Sequence, residues 1–200
     1  MVGFAHPTKM LHGDDTNPWT TLESRPVYDN PWISVREDQV LRPDGSPGIY
    51  GVVHFKGRAI GILPVEGDGS VWLVGQYRYP LNRFSWEIPE GGAPDGEFAE
   101  EAAVRELREE TGLVAGRLEA LGGEVHLSNS ATDESGRLFR ATHLTPGPND
   151  PEATEQLHVR CFSWDDAWAM LESGEITDSL SVIALLREAV LRARSGTDDM

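Results

Sequence analysis

Residues 91–113 read GGAPDGEFAEEAAVRELREETGL, and this stretch decides how the rest of the chain is interpreted. From Phe98 to Thr111 it contains neither proline nor glycine, and Ala, Leu, Glu and Arg predominate, which favours an α-helix. Asp95 is expected to cap the start of this helix, and Gly112 is well suited to end it.

Three carboxylates share one face of the predicted helix. Glu106, Glu109 and Glu110 stand at i, i+3 and i+4, so their like charges repel unless a cation lies between them. Clustered oxygen ligands of this kind suit Mg²⁺ or Mn²⁺. The alternative is that the glutamates only face water, as the charges of a Glu-rich helix usually do. The surroundings favour the metal site, because Glu101 and Arg105 form a well-oriented i,i+4 pair and glycines flank the helix.

The spacing of the stretch is specific. Its nine fixed positions follow the pattern Gly, five residues, Glu, seven residues, Arg-Glu-apolar-x-Glu-Glu-x-Gly-apolar, from Gly91 to Leu113. At each of them the chain resembles the signature of the Nudix hydrolases, and such a match is far more specific than a short glycine motif. The resemblance implies the α/β (α+β) class, with an α/β/α sandwich, and hydrolysis of a nucleoside diphosphate linked to another group.

The resemblance also implies roles for individual residues. The expected ligands of Mg²⁺ or Mn²⁺ are Glu90, Glu106, Glu109 and Glu110. Glu90 would bind through its backbone carbonyl, and its side chain is not expected to contribute. Glu109 would support a further ion through water, and both Glu109 and Arg105 are catalytic candidates. Glu97 is expected to support the loop and Arg105 rather than to bind metal.

The segments before the stretch narrow the substrate class. QYRYP at residues 76–80 and WEIPEGG at residues 86–92 resemble the branch of the family that hydrolyses ADP-ribose and other nucleoside diphosphate sugars. The substrate-binding candidates are Arg78, Trp86 and Glu87. Arg78 could clamp phosphate oxygens or be a surface arginine at a strand end. Trp86 could stack on a base or, as is commoner for a tryptophan at a strand end, lie in the core.

A third catalytic candidate lies downstream. SNSATDE at residues 128–134 occupies the place of a loop that ends in glutamate in ADP-ribose pyrophosphatases. Glu134 aligns with that glutamate, whose family role is to deprotonate the attacking water or help to hold a metal. Asp133 is an equally exposed acid in the same loop. Asn129 and Ser130 stand where ADP-ribose enzymes typically carry proline and glycine, so the chain is not expected to be narrowly specific for ADP-ribose.

Composition restricts the partners. With 17 Lys and Arg against 33 Asp and Glu, the chain has a net charge of −16, which makes a grip on nucleic acid unfavourable. The single cysteine, Cys161, excludes an internal disulfide and fits a reducing cytoplasm. No apolar run approaches membrane-spanning length, so no membrane partner is expected.

The order of predicted elements indicates three parts. We expect a mobile tail at residues 1–21, an N-terminal β-strand subdomain at residues 22–55 and a Nudix hydrolase domain at residues 56–200. Strands are predicted near residues 32–38, 49–56, 59–65, 71–77, 117–126, 138–144 and 157–162. Two closing helices are predicted, one after the N-cap Ser163 and one after Thr177 or Asp178.

The N-terminal subdomain is expected to join two copies of the chain. Trp32, Ile33 and Val35 are apolar, and a two-stranded ribbon could not bury them alone. We expect a symmetric homodimer in which residues 22–55 contact the partner and help to shape the substrate pocket; folding back onto the same chain is the alternative.

Three function classes remain. The first is Mg²⁺-dependent hydrolysis of ADP-ribose or another nucleoside diphosphate sugar to a nucleoside monophosphate and a sugar phosphate. The second is a Nudix hydrolase of nucleoside triphosphates or dinucleoside polyphosphates, against which the N-terminal strands and the SNSATDE loop argue. The third is a non-catalytic nucleotide-binding Nudix domain, against which the intact metal-binding positions argue.

Overall fold

The computed structural model describes residues 16–147 and 157–195. Most of the predicted mobile tail lies outside these residues. Its last two residues do not belong to a tail, because the first strand already begins at Thr20. Within the described residues, no helix is long and apolar enough to cross a membrane.

The N-terminal segment forms a three-stranded antiparallel sheet. Its strands, in spatial order, are β1 (Thr20–Asp29), β2 (Ile33–Leu41) and β3 (Pro47–Phe55). The prediction of a two-stranded ribbon was wrong, because it omitted β1. Every residue of β1 is exposed. A strand that buries neither face does not show the alternation of apolar and polar residues by which a half-buried strand is recognised.

Two further sheets form the body of the protein. The larger has the order β7-β4-β10-β8, with β9 also paired to β10, and only the β4–β10 pair is parallel. Its strands are β4 (Arg58–Pro64), β7 (Glu90–Ala93), β8 (Leu113–Ala120), β9 (Val125–His126) and β10 (Ser135–Pro146). The smaller has the order β11-β5-β6, with β5 (Val71–Arg78), β6 (Arg83–Glu87) and β11 (His158–Phe162). The sequence did not predict β6 or β7.

Within residues 16–147 and 157–195, three α-helices cover the body. They are α1 (Ala99–Thr111), α2 (Trp164–Ser173) and α3 (Ser179–Ser195), and each begins close to its predicted start. The prediction that Ser163 caps α2 is confirmed, because its side chain accepts a hydrogen bond of 3.1 Å from the Asp166 N–H.

The core lies on both faces of the larger sheet. Ile60 and Phe139 pack with α1 on one face, while Leu63 and Leu138 pack with α2 and α3 on the other. Because neighbouring strand residues point to opposite faces, β4 and β10 each contribute to both clusters. The predicted α/β/α sandwich with N-terminal strands is therefore confirmed.

Candidate active site

Helix α1 brings the predicted carboxylates together. Its first turn follows Phe98, which offers no side-chain cap, so the prediction that Asp95 caps the helix was wrong. Gly112 ends the helix in the left-handed conformation (φ 69°), which glycine adopts without strain. Glu106 and Glu110 are only 9% and 6% exposed, so their charges need local compensation.

Arg105 supplies part of that compensation. One of its terminal nitrogens lies 2.6 Å from a Glu106 oxygen and 3.1 Å from a Glu109 oxygen. The other donates to the Gly92 carbonyl at 2.9 Å, and Nε donates to Glu97 at 3.0 Å. The hydrogen bonds that Arg105 donates to Glu97 raise the pKa of Arg105, although burial opposes them, and the bond that it donates to Glu106 acts in the raising direction.

These contacts change one expectation and bear out another. The predicted pair of Arg105 with Glu101 was wrong, because Glu101 is exposed and Arg105 is held by Glu97, Glu106 and Glu109. The expectation that Glu97 supports Arg105 agrees with their two hydrogen bonds.

Strand β7 presses against this carboxylate face. A Cβ atom on Gly91 would overlap the Glu106 carboxylate, so any larger residue there would have to displace that carboxylate. The Glu90 N–H donates to a Glu110 oxygen at 2.9 Å, which ties the strand to the helix.

The Glu90 side chain is part of the site, contrary to expectation. One oxygen accepts a hydrogen bond of 2.6 Å from Arg78, and the other is buried without a hydrogen-bond partner among the described residues. Burial raises the pKa of Glu90 well above its ordinary value, and the nearby Asp178 charge adds to the effect.

The substrate-binding candidates fall into two groups. Arg78 donates from Nε to Glu87 at 2.9 Å and also binds Glu90; although burial opposes its charge, these carboxylates raise the pKa of Arg78. Glu87 is buried beneath Arg78 and does not reach the cavities described next. Trp86 packs against the core with its ring 5.0 Å from that of Phe162, so the structure places it in the core and not at the site.

Two adjoining cavities border the carboxylate face. The first has a volume of about 610 Å³ and is lined by Glu106, Glu109 and Glu110. The second has a volume of about 460 Å³ and is lined by Arg78, Glu134 and Asp178. Both cavities are lined by Trp32, Lys56, Gly57, Glu90, Gly91 and Gly92. We call the α1 carboxylates one wall of the site and Arg78, Glu134 and Asp178 the second wall. The two walls meet along β7.

The second wall combines distant parts of the chain. Glu134 is partly buried, and desolvation raises the pKa of its carboxyl, with the Asp178 charge acting in the same direction. Asp178 stands before α3 and accepts a hydrogen bond of 2.7 Å from the Ser181 N–H. Asp133 does not line either cavity; its oxygens are bound by His54 at 2.6 Å and by the Phe55 N–H at 3.1 Å.

The sequence did not identify three of these cavity residues. Trp32, Lys56 and Asp178 lie far from the α1 stretch along the chain, and no local pattern marks them as site residues; Trp32 was singled out only for a subunit contact. A lysine after a strand and an aspartate before a helix are common, so only the fold reveals their meeting point.

The donor set fits a divalent cation. Glu90 has a buried carboxylate oxygen without a hydrogen-bond partner, and Glu106, Glu109 and Glu110 line the same cavity as it does. Within the described ranges, no three potential ligands converge closely enough to hold a metal ion as the side chains stand. As these side chains stand, Glu106 and Glu109 accept hydrogen bonds from Arg105, and Glu110 accepts one from the Glu90 N–H.

The chain matches models of two known protein domains. A model described as the NUDIX domain matches residues 55–185, and one described as the nucleoside diphosphate sugar hydrolase N-terminal domain matches residues 19–53. The chain belongs to the Nudix family. The expected resemblance to the nucleoside diphosphate sugar branch is thereby confirmed.

Relatives of this Nudix protein cover most of its length. It is 30% identical over 176 residues to the ADP-ribose pyrophosphatase of Bacillus subtilis, covering 85% of this chain and 94% of the relative. It is 31% identical over 170 residues to the ADP-ribose pyrophosphatase of Mycobacterium tuberculosis, covering 83% and 81% of the two chains. The crystal structure of ADP compounds hydrolase superposes with a TM-score of 0.82 at 21% identity, covering 92% and 98%, which supports the fold.

Proposed function

We propose that this Nudix protein hydrolyses the diphosphate bond of ADP-ribose or another nucleoside diphosphate sugar. The observation that carries the proposal is the meeting of the α1 carboxylates and Glu134 across two cavities that share Glu90, Gly91 and Gly92. The similarity to ADP-ribose pyrophosphatases over more than four-fifths of the chain supports the substrate class.

The charge of the cavities supports a role for divalent cations. Seven carboxylates and four cationic side chains line them, and Arg78 and Arg105 are already bound by glutamates. A diphosphate would be repelled by such a wall on its own. We assign Mg²⁺ or Mn²⁺ to Glu106, Glu109 and Glu110, with Glu90, and a bound ion would supply the positive charge that a diphosphate needs.

Glu134 is proposed as the general base. Its carboxylate takes a proton from a water molecule whose oxygen attacks one phosphorus of the diphosphate. The bond from that phosphorus to the bridging oxygen breaks, and a nucleoside monophosphate and a sugar phosphate leave. A carboxylate whose pKa is raised by burial holds this proton better than an ordinary one.

The other side chains position the reacting groups. Arg105 holds Glu106 and Glu109 in place, which is how it would influence catalysis. Arg78 can reach a phosphate by exchanging its contact with Glu90, while its contact with Glu87 keeps it in place. Trp32 is 73% exposed and lines both cavities, so it offers an aromatic face there, whereas Trp86 packs against the core and lines neither cavity.

We also propose that the N-terminal β-strand subdomain ends at residue 55 and that the Nudix hydrolase domain begins at residue 56. We further propose that the protein forms a homodimer and lies in the cytoplasm. Exposed Leu22, Val27 and Ile49 on the N-terminal sheet support a subunit contact, and the single free Cys161 fits a reducing compartment. Light scattering at micromolar concentration should give the mass of two chains; an active monomer would reject the dimer.

A substrate panel tests the proposed function. ADP-ribose, other nucleoside diphosphate sugars, nucleoside triphosphates and dinucleoside polyphosphates are each incubated with the protein and Mg²⁺, and the products are separated. The expected result is a nucleoside monophosphate and a sugar phosphate in equal amounts, lost on addition of a chelator. Turnover of triphosphates alone, or of none of the compounds, would contradict the proposal.

A further inference from the structure

The loop that carries Glu134 is bound to the N-terminal sheet. The Val53 N–H donates to the Ala131 carbonyl at 2.9 Å, and the Asp133 N–H donates to the Val53 carbonyl at 3.2 Å. The Tyr50 hydroxyl donates to the Ser130 carbonyl at 2.7 Å. Strand β3 is an edge strand, and its free backbone groups are therefore open to such pairing.

Side chains close the same contact. Asp133 accepts from the Phe55 N–H at 3.1 Å through one oxygen and from His54 Nδ1–H at 2.6 Å through the other. Both acceptor oxygens of Asp133 are thus directed to β3 and away from the cavity. This arrangement gives Asp133 a role different from that of Glu134, although the two acids are neighbours.

The contact fixes the start of the Glu134 backbone. Asp133 is attached to β3 by its N–H and by both carboxylate oxygens, so the peptide that leads into Glu134 has little freedom. On the other side, the Leu127 N–H donates to the Glu134 carbonyl at 3.2 Å. Glu134 is thereby held between β3 and the strand pair β9–β10.

The exposure of His54 and Asp133 argues against a large contribution of this pair to the free energy of unfolding. The side chains of His54 and Asp133 are 51% and 46% exposed, and surface pairs of this kind contribute little to folding. Their geometry instead serves placement, because a shift of about 1 Å in a reacting group can lower a rate about a hundredfold.

We propose that His54 and Asp133 are positioning residues that hold Glu134 at the cavity, so that the N-terminal sheet sets the geometry of catalysis. The inference rests on the proposed role of Glu134 as general base. It assigns to the N-terminal sheet a function within its own subunit.

A double-mutant cycle tests the inference. His54→Ala should lower kcat about tenfold with KM changed less than about twofold, because a positioning residue acts chiefly on the transition state. In the Glu134→Gln background the same change should lower kcat less than about twofold further, since the group that it positions is gone. Rates are measured in single turnovers so that slow variants remain accessible.

Two controls sharpen the cycle. Arg25→Ala breaks an exposed pair with Glu37 in the same sheet, 2.9 Å long, and should leave kcat unchanged. His54→Asn keeps an N–H donor near the position of Nδ1 and should restore most of the lost rate. Hydrogen exchange at the Asp133 amide should be about tenfold faster in His54→Ala, with α1 unchanged.

The outcomes separate the two proposals. If His54→Ala lowers kcat equally in both backgrounds, or leaves it at the parental value, the positioning role is overturned while Glu134 stands. If Glu134→Gln alone is as fast as the parent, the general base is overturned and the positioning role falls with it.

Discussion

The two walls of the site differ in how they are built. The α1 wall is local, with Glu106, Glu109 and Glu110 on one helix and Arg105 among them. The second wall, called the loop wall below, is assembled from the loop that carries Glu134, from Asp178 before α3 and from strand ends. A local wall is fixed by helix geometry, whereas an assembled wall depends on contacts between distant segments.

Different interactions hold the two walls in place. Charged pairs organise the α1 wall, since Arg105 bonds two of its carboxylates and Glu97. The loop wall depends instead on hydrogen bonds to β3, including those of Asp133. We therefore expect changes in the α1 wall to have the larger effects and changes in the loop tethers to have graded ones.

Among the substitutions that test how each wall is held, the largest effect is expected at the centre of the α1 wall. Glu110→Gln keeps the shape of the side chain and removes its charge, so it should lower kcat/KM by about a hundredfold or more, as loss of a main charge-stabilising group does. The measurement is steady-state hydrolysis of ADP-ribose at saturating Mg²⁺. Parental activity in this variant would remove Glu110 from the proposed ligand set.

Much of this wall could be predicted from the sequence. The uninterrupted run from Phe98 to Thr111 predicted α1, and the spacing of its glutamates predicted one shared face. What could not be predicted is that the Arg105 side chain binds Glu106 and Glu109. Arg105 can reach Glu97 only because the preceding loop folds back on the helix, and i,i+4 spacing had favoured Glu101 instead.

Less of the loop wall could be predicted. Glu134 was found by resemblance to a known loop, but nothing near it in the sequence indicates Asp178 or Lys56. Strand β7 was missed for a related reason, since its two glycines are unfavourable in a strand. Gly91 is there because Glu106 lies too close for a Cβ atom, which is a long-range contact.

An intermediate effect is expected where the two walls meet. Gly91→Ala places a methyl group against the Glu106 carboxylate and should lower kcat/KM about tenfold by displacing it. Gly92→Ala is the matched control, because a Cβ atom there meets no atom within 4 Å. The same ADP-ribose assay compares them. Equal activity of the two variants would show that the close approach of β7 to α1 does not matter.

The smallest effect is expected at a single tether of the loop wall. Tyr50→Phe removes the hydrogen bond to the Ser130 carbonyl and should lower kcat only about two- to threefold, since one such bond contributes about 1 kcal/mol or less. Tyr28→Phe, in the same sheet, removes a hydroxyl that among the described residues bonds only to Asn30, and it should have no effect on kcat. A loss in Tyr50→Phe as large as that in Glu110→Gln would contradict the graded dependence of the loop wall.

The central claim is that the loop wall carries the general base and that Glu134 is that base. The most direct test is the single-turnover rate of ADP-ribose cleavage in Glu134→Gln beside Asp133→Asn. We predict a loss of about a hundredfold or more for Glu134→Gln with little change in KM, and of about tenfold or less for Asp133→Asn, which only loosens the loop. Parental activity in Glu134→Gln together with an inactive Asp133→Asn would contradict the account.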